Sequence, residues 1–388
     1  MKQKLIISIP VLLAIIFVAL SMRAPMGCVG PLVGQIQQDL QINSFVAGFL
    51  TTIPLIAFAA TAPFAGKIAI KIDIRLLLQL CLILSAVGLV FRSFCGIAGL
   101  FVGTILLGLG IGTMNVLMPA LIRQQFPKRI GFVMGLYTTA MTASSAIIAG
   151  CCQSISSVLG GWRYSMVSPI VLTIFAAVVC LCASSFIVPR LTMEISANRA
   201  PKLINMRRVA IAVFMGLQAF LFFSVLTWYP SITASRFELP VKSGQMLLIM
   251  QLFSLIPAFV MPILSQKLKK KGWLAAFSTL LLTLGFVLIL IGNSVMVGIL
   301  GTIILGLGMG ATISLALTFI ATQGKTAAET AQVSAFSQCF AYLIAAFGPT
   351  GLGYVFDIFN SWNLILGCMI VLSLVMAAFG FVAGRQKD

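Results

Sequence analysis

Apolar runs about twenty residues long recur along almost the whole 388-residue chain, and they limit its possible folds more than any other feature. A helix that crosses the hydrocarbon core of a bilayer needs about 20 predominantly apolar residues. Only 8% of the residues are charged and 60% are hydrophobic, which would leave a soluble protein with too little polar surface. The sequence therefore predicts an all-α membrane protein with no soluble module of useful size.

Polar breaks between the apolar runs define twelve predicted spans. The longest break, residues 189–208, holds two prolines and five basic residues and divides the spans six and six. We therefore predict an N-terminal six-helix bundle over residues 1–188, a cytoplasmic linker over 189–208 and a C-terminal six-helix bundle over 209–388. The predicted spans are 5–34, 44–64, 75–92, 99–122, 131–158, 164–188, 209–230, 243–264, 274–292, 296–320, 331–354 and 363–384.

The two predicted bundles resemble each other in sequence at a nearly constant offset. GTILLGLGIG at 103–112 recurs as GTIILGLGMG at 301–310, and Trp162 recurs as Trp362. Duplicated six-helix units indicate a pseudo-symmetric pair of bundles that rock about a substrate site between them. Because the glycines of both runs lie inside spans, we interpret them as helix-packing positions and not as a dinucleotide-binding motif.

The net charge of +18 would favour a nucleic-acid partner in a soluble protein, but the positions of the charges indicate another cause. With the N-terminus in the cytoplasm, twenty of the 25 Lys and Arg residues fall in cytoplasmic segments. The side opposite the cytoplasm receives Arg92, Arg163, Arg236 and Lys242. Lys and Arg retained on the cytoplasmic side set membrane topology, so both termini are predicted to be cytoplasmic.

The chain lacks the residue patterns of a metal site, a cofactor site or an enzyme active site. It has no histidine, and its nine cysteines form no CxxC pair. No predicted span holds a carboxylate pair or a nucleophile with a base nearby. We therefore predict no metal, no cofactor and no enzymatic activity.

Arg23 is the charged residue that lies closest to the middle of a predicted span, roughly 18 residues into the first one. A charge at that depth costs several kcal/mol unless it is paired, solvated or facing a cavity. No Asp or Glu lies deep in any predicted span, and Gly27 and Gly30 should leave room on the same helix face. We predict that Arg23 faces a central cavity and binds an anionic or strongly polar substrate. The alternative is a structural Arg that snorkels or bonds carbonyls near Pro25.

Neutral polar side chains near the middle of other spans are further candidates for the site. Each can bind a small polar solute or bond a neighbouring helix. Since no histidine or carboxylate lies deep in a span, we predict no buried proton relay; facilitated diffusion, anion exchange and proton symport carried by substrate or water stay open. With Arg23, the predicted substrate-binding residues are Asn115, Tyr137, Gln218, Gln251, Gln338 and Tyr342.

Several segments resemble the cyanate and 2-nitroimidazole permease family of the major facilitator superfamily. The most specific is GLGIGTMNVLMPALIRQQFPKRIGFVMGLYTTAM at 108–141, and a second is MRAPMGCVGPLVGQIQQDL at 22–40. Shorter similar segments are GGWR at 160–163, WYPSI at 228–232 and AFSQCFAYLIAAFGPTGLGYVFD at 335–357.

This resemblance implies the fold of that superfamily and a permease of the bacterial inner membrane for small anions or small nitrogen-containing aromatics. It also implies that Arg23 and Asn115 contact substrate, and that Gln218 and Gln338 do so with a weaker motif match. Two positions depart from the superfamily pattern: Ile70 replaces a usual Asp and Thr104 replaces a usual Arg. Standard gating contacts and standard proton coupling are therefore not expected.

Three functions are compatible with these patterns. The favoured one is a small-solute permease that works as a monomer by alternating access, with Arg23 as the anion anchor and the lipid bilayer as its surroundings. The second is a drug or metabolite exporter with a mainly apolar cavity, to which the 29 Phe and 18 Met residues would be suited. The third is a membrane sensor that binds a solute without moving it.

Overall fold

The computed structural model describes residues 2–42, 44–190, 206–237, 243–268, 270–323 and 327–385. Most of the predicted linker, residues 191–205, lies outside this part of the chain. Fourteen helices occupy the described residues: α1 Lys2–Gly27, α2 Val29–Leu40, α3 Ser44–Lys71, α4 Ile74–Phe94, α5 Gly96–Gln125, α6 Ile130–Leu159, α7 Trp162–Val167, α8 Ile170–Cys182, α9 Met206–Phe237, α10 Ser243–Lys267, α11 Lys271–Ile291, α12 Val295–Gln323, α13 Ala327–Phe359 and α14 Trp362–Gly384.

Twelve stretches of helix among the described residues are long and apolar enough to cross a membrane, which confirms the predicted all-α membrane fold. The first predicted span is two helices, α1 and α2, which meet at Cys28. Because Pro25 has no backbone N–H, the carbonyl of Ser21 loses its usual helical partner just before this break. The sixth predicted span is likewise divided, into α7 and α8.

Large apolar side chains cover the outer surface of the helices. Phe64 and Ile256 are each 63% exposed, and Leu181 is 60% exposed. Such a surface would drive association in water, whereas lipid tails are as apolar as these side chains. The exposed apolar belt is therefore the surface that faces lipid.

The two glycine runs pack the helices of both halves in the same way, as predicted. A Cβ atom on Gly110 would lie 2.6 Å from the carbonyl oxygen of Cys81 in α4. The equivalent Gly308 packs on α11, where a Cβ atom would lie 2.5 Å from the amide nitrogen of Leu282. Glycine at these positions lets the backbones approach closely, which is how helices associate without a hydrophobic driving force between them.

The N-terminal half (α1–α8) and the C-terminal half (α9–α14) meet along two pairs of helices, α3 against α13 and α6 against α10. On the side where α1 begins, an Arg123 guanidinium nitrogen donates to the carbonyl oxygen of Ala321, 3.1 Å away. Beyond the end of α1, a Cβ atom on Gly30 would lie 3.3 Å from the carbonyl oxygen of Leu226. Contacts thus join the halves on both sides of the centre.

Two hydrogen bonds between the halves end on carbonyls that prolines leave without a helical partner. The Thr138 hydroxyl donates to the carbonyl oxygen of Ala258, 2.7 Å away, and Pro262 stands four residues after that acceptor. A proline at that position has no N–H to offer to the carbonyl. The side chain from the opposite half therefore supplies the missing donor.

The second such bond has the same origin. The Gln338 amide nitrogen donates to the backbone carbonyl oxygen of Asn115, 2.6 Å away, and Pro119 is four residues after Asn115 in α5. Both residues are buried, so bulk water does not reach this carbonyl. In a bilayer each unpaired backbone group costs several kcal/mol, which explains why a side chain takes this place.

At the end of the molecule where α1 begins, Asp73 caps α4. Its carboxylate accepts from the backbone N–H of Arg75 at 2.9 Å and forms an ion pair with the Arg75 guanidinium at 2.5 Å. The hydrogen bond from the Arg75 side chain holds the pKa of the Asp73 carboxyl below its usual range. The cap therefore stays ionised at neutral pH.

Candidate functional site

Arg23 is held at the centre of the molecule, where its guanidinium lies against two aromatic rings of the opposite half. The residue is 6% exposed. Its guanidinium carbon lies 4.6 Å from the ring centre of Phe222 and 5.1 Å from that of Phe223. The two rings are adjacent in α9 and stand at 88° to each other. Cation–π attraction of this kind is strongest where the cation is desolvated, as here.

No carboxylate among the described residues forms an ion pair with Arg23. The ion pairs found in this part of the chain lie elsewhere: Asp73–Arg75, Asp39–Arg163 and Glu329–Arg208. The positive charge at the centre is therefore available to an anion that enters from outside.

Two small cavities of about 20 Å³ each adjoin Arg23, and each is large enough for one or two water molecules. Four residues line both: Arg23, Met141, Ile313 and Leu317. Cavity A is further lined by Thr138, Thr142, Ser145, Phe222, Met250, Gln251, Ser254, Met309 and Gly310. Cavity B is further lined by Asn115, Met215, Gln218, Ala219, Phe223, Ala316 and Tyr342.

The structure brings five of the seven predicted site residues to these cavities. Arg23 lines both cavities, Gln251 lines cavity A, and the amides of Asn115 and Gln218 line cavity B with the phenol of Tyr342. These side chains come from both halves of the molecule. Any solute that fills the cavities would therefore contact both halves at once.

The other two predicted site residues are buried beside the cavities without lining them. The Tyr137 hydroxyl donates to the sulfur of Met22, 3.9 Å away. The Gln338 amide nitrogen donates to the Asn115 carbonyl oxygen, 2.6 Å away, and to the Ser334 hydroxyl, 3.1 Å away. In this conformation both side chains contact residues next to the cavities and do not line the cavities themselves.

The glycines that follow Arg23 do not create the space around it, although the sequence predicted that they would. A Cβ atom on Gly27 would lie 2.7 Å from the backbone oxygen of Ser145 in α6. Gly27 therefore lets α6 pack tightly against α1 and leaves no room for a ligand. The prediction was wrong because a missing side chain lets a neighbouring helix approach as readily as it leaves a cavity.

Arg92 has the structural role that the sequence left open for Arg23. It was predicted among the residues on the side opposite the cytoplasm, yet it is only 1% exposed and lies inside the N-terminal half. Its guanidinium donates to the carbonyl oxygens of Pro25, at 3.0 Å, and Met166, at 3.4 Å. The carbonyls near the α1 break are thus bonded by Arg92, which leaves Arg23 for the cavities.

Sequence patterns did not identify several residues that line the cavities. Phe223 and Ser145 carry no motif, and Thr138 resembles the many Thr residues of other spans. A weak signal existed for the aromatic pair, because Phe222 lies four residues after Gln218 on one helix face. The contact of both rings with Arg23 depends on how the halves pack, which no local pattern records.

Comparison with known proteins agrees with this architecture. A sequence model of the Major Facilitator Superfamily matches residues 11–349. Among solved structures, the human organic anion transporter MFSD10 (TETRAN) superposes with a TM-score of 0.73 at 15% identity, over 97% of this chain and 99% of that one. At this identity the similarity shows the fold alone.

Three curated relatives span nearly the whole chain. The "Uncharacterized transporter YycB" of Bacillus subtilis strain 168 is 35% identical and aligns over 96% of this chain and 93% of its own length. The "2-nitroimidazole transporter" of Escherichia coli K12 is 28% identical over 96% of this chain and 95% of its own length. The "Cyanate transport protein CynX" of the same organism is 24% identical over 97% and 98%. The chain is therefore no enzyme but a member of the major facilitator superfamily of transporters, of the type that includes the cyanate and 2-nitroimidazole transporters.

Proposed function

We propose that this protein moves a small anionic or polar solute across the bacterial inner membrane by alternating access. The observation that carries the proposal is Arg23, a buried guanidinium that lines both cavities between the halves and has no carboxylate partner among the described residues. An unpaired charge at this depth costs about 3 kcal/mol on insertion scales. A bound anion offsets that cost, so the site favours anions over neutral solutes.

The position of Arg23 between the halves favours transport of the solute over binding without transport. The guanidinium belongs to α1, while both rings against it belong to α9. A solute bound there contacts both halves, and rocking of the halves exposes it to one side of the membrane at a time. The halves are in contact on both sides of the site, which fits a transporter that encloses its solute between an outward-open and an inward-open state.

The size of the cavities and the names of the relatives support a small substrate. Each cavity has room for one or two water molecules, which favours a small solute and requires the halves to move apart for anything larger than a cyanate-like anion. Two relatives are named for cyanate and 2-nitroimidazole, which makes a cyanate-like anion or a small nitrogen heterocycle the first candidates. We further propose a monomer with both termini in the cytoplasm, the orientation that the Lys and Arg distribution favours.

A drug or metabolite exporter of the same fold is the second candidate. Its support is the apolar part of the cavity lining, where Met141, Met250 and Met309 stand beside Phe222 in cavity A. Flexible thioethers suit varied apolar ligands. Such a transporter would bind neutral aromatics as well as it binds anions, and its transport would not depend on Arg23.

The test is uptake into proteoliposomes of labelled cyanate and labelled 2-nitroimidazole, with wild type, Arg23→Gln and Arg23→Lys. We expect saturable cyanate uptake that Arg23→Gln reduces at least tenfold and Arg23→Lys restores in part, because Lys keeps the charge but not the planar donors. Arg190→Gln removes a charge from an exposed arginine and serves as the matched control. Every variant must be monodisperse and as thermally stable as wild type.

Two results would contradict the proposal. Cyanate uptake that is equal in wild type and Arg23→Gln would remove Arg23 as the anchor. Transport of larger neutral aromatic compounds that does not depend on Arg23, with no uptake of cyanate or 2-nitroimidazole, would favour the exporter.

A further inference from the structure

Gln251 is the polar side chain of cavity A whose hydrogen-bonding groups are least satisfied. It is 1% exposed, and among the described residues neither its amide nitrogen nor its amide oxygen has a hydrogen-bond partner. A buried amide without partners loses its hydration and gains nothing in return. An arrangement with this cost points to a ligand that supplies the partners.

Other polar side chains of cavity A already have acceptors, which sets Gln251 apart. The hydroxyls of Thr138, Thr142 and Ser254 donate to backbone carbonyls within 2.6–3.2 Å. Ser145 shares the unsatisfied state of Gln251, since its buried hydroxyl has no partner in the described part of the chain. In cavity B the fully buried atom without a partner in the described part of the chain is a donor, the amide nitrogen of Gln218.

Cavity A therefore presents three different kinds of group to a ligand. Arg23 supplies a positive charge, Gln251 supplies one donor face and one acceptor, and Phe222 supplies a flat apolar wall over the guanidinium. Arg23 and Gln251 belong to different halves, so a ligand that pairs with both would bridge them. A ligand with only a negative charge would leave the Gln251 amide oxygen unpaired.

We propose that cavity A binds a small planar anion that carries an amide group, with its anionic end on Arg23 and its N–H and C=O groups on the Gln251 amide. The inference rests on the proposed function, because it assigns a substrate class to the same anion site. It goes further in that it makes Gln251 a specificity-determining residue. Simple anions without an N–H donor bind the same site more weakly, because they leave the acceptor of Gln251 unsatisfied.

The test compares two nearly isosteric monoanions, oxamate and pyruvate, which differ in an amino group where pyruvate has a methyl group. Uptake of each labelled compound is measured in proteoliposomes at neutral pH. We expect oxamate to exceed pyruvate about tenfold in kcat/KM, the effect of one additional well-formed hydrogen bond that spares a buried acceptor. Oxamide, which has the amide groups but no charge, should compete with neither compound.

Gln251→Met keeps the side-chain volume and removes both hydrogen-bonding groups. We expect the oxamate-to-pyruvate ratio of kcat/KM to fall from about ten to about one in this variant, because both compounds lose the Gln251 donor and only oxamate also loses an acceptor. Gln153→Met makes the same change at an exposed residue near the end of α6 and should keep the preference. If Gln251→Met does not fold, the comparison of oxamate, pyruvate and oxamide in wild type decides alone.

The outcomes separate this inference from the proposed function. Equal uptake of oxamate and pyruvate in wild type, or an equal loss of both in Gln251→Met, overturns the role of Gln251. If neither compound is taken up while cyanate uptake depends on Arg23, this inference fails and the proposed function stands. If no anion is taken up in an Arg23-dependent manner, both fail.

Discussion

The hydrogen bond from Gln338 to the Asn115 carbonyl joins the two halves, and a double-mutant cycle with Pro119 tests why it exists. The Asn115 carbonyl can accept from this side chain because Pro119 lacks the N–H that would otherwise pair with it inside α5. Gln338→Met removes the donor at nearly constant volume and leaves the carbonyl unpaired. Hydrogen bonds between membrane helices contribute about 0.6 kcal/mol on average and about 1.7 at most. The bond is 2.6 Å long and fully buried, but methionine also removes the Gln338 amide oxygen, which is buried without a partner among the described residues, so we expect a net loss of about 1 kcal/mol.

In a Pro119→Ala background the same substitution should cost little, because alanine, unlike proline, has a backbone N–H that pairs with the Asn115 carbonyl inside the helix. The expected coupling between the two sites is therefore about 1 kcal/mol. The assay is equilibrium unfolding in mixed micelles with increasing SDS, for wild type, both single variants and the double variant. An equal cost of Gln338→Met in both backgrounds would refute the idea that the side chain replaces a donor lost to proline.

Three further predictions use the same unfolding assay. Thr138→Val should cost about 1 kcal/mol through the lost bond to the carbonyl that Pro262 leaves unpaired, and Pro262→Ala should remove most of that cost; an undiminished cost would contradict the pairing. Gly308→Ala should destabilise by about 1–3 kcal/mol, because its Cβ would press on the backbone of α11, whereas Gly367→Ala meets no atom within 4 Å and should be tolerated. Asp73→Asn should cost about 0.5 kcal/mol at pH 7 through the lost ion pair with Arg75, because Asn caps a helix about as well as Asp. Because the folded-state pKa of Asp73 is lowered, this stabilisation is present above its ordinary pKa of 3.8 and is lost as the pH falls through the lower folded value; a stability difference that persists at lower pH would argue against the ion pair.

The twelve spans and the duplicated halves could be predicted from the sequence because both are local or repeated properties. A span is a continuous apolar run whose length must match the bilayer, and no distant contact is needed to recognise it. The repeat of the glycine runs could also be read directly, and the structure shows the same packing of Gly110 and Gly308 in the two halves.

The central charge could be located from the sequence, but its surroundings could not. Depth within a span singles out Arg23, because charge in an apolar solvent is costly wherever the helix packs. The same reasoning missed that Arg92, which lies at a span end in sequence, is also fully buried. The difference is that Arg92 meets carbonyls at the α1 break, whereas Arg23 meets Phe222 and Phe223 of the opposite half.

The sequence by itself thus determined the membrane fold, the two-bundle plan and the helix that carries the central charge. Only the tertiary structure decided the part played by each amide: Gln251 lies unsatisfied in cavity A, while Gln338 bonds a carbonyl that Pro119 had left unpaired. Hydropathy depends on the residues of one helix and the solvent around it. The role of a polar side chain inside a bundle depends on its rotation about the helix axis and on which unpaired group of a neighbouring helix lies within its reach.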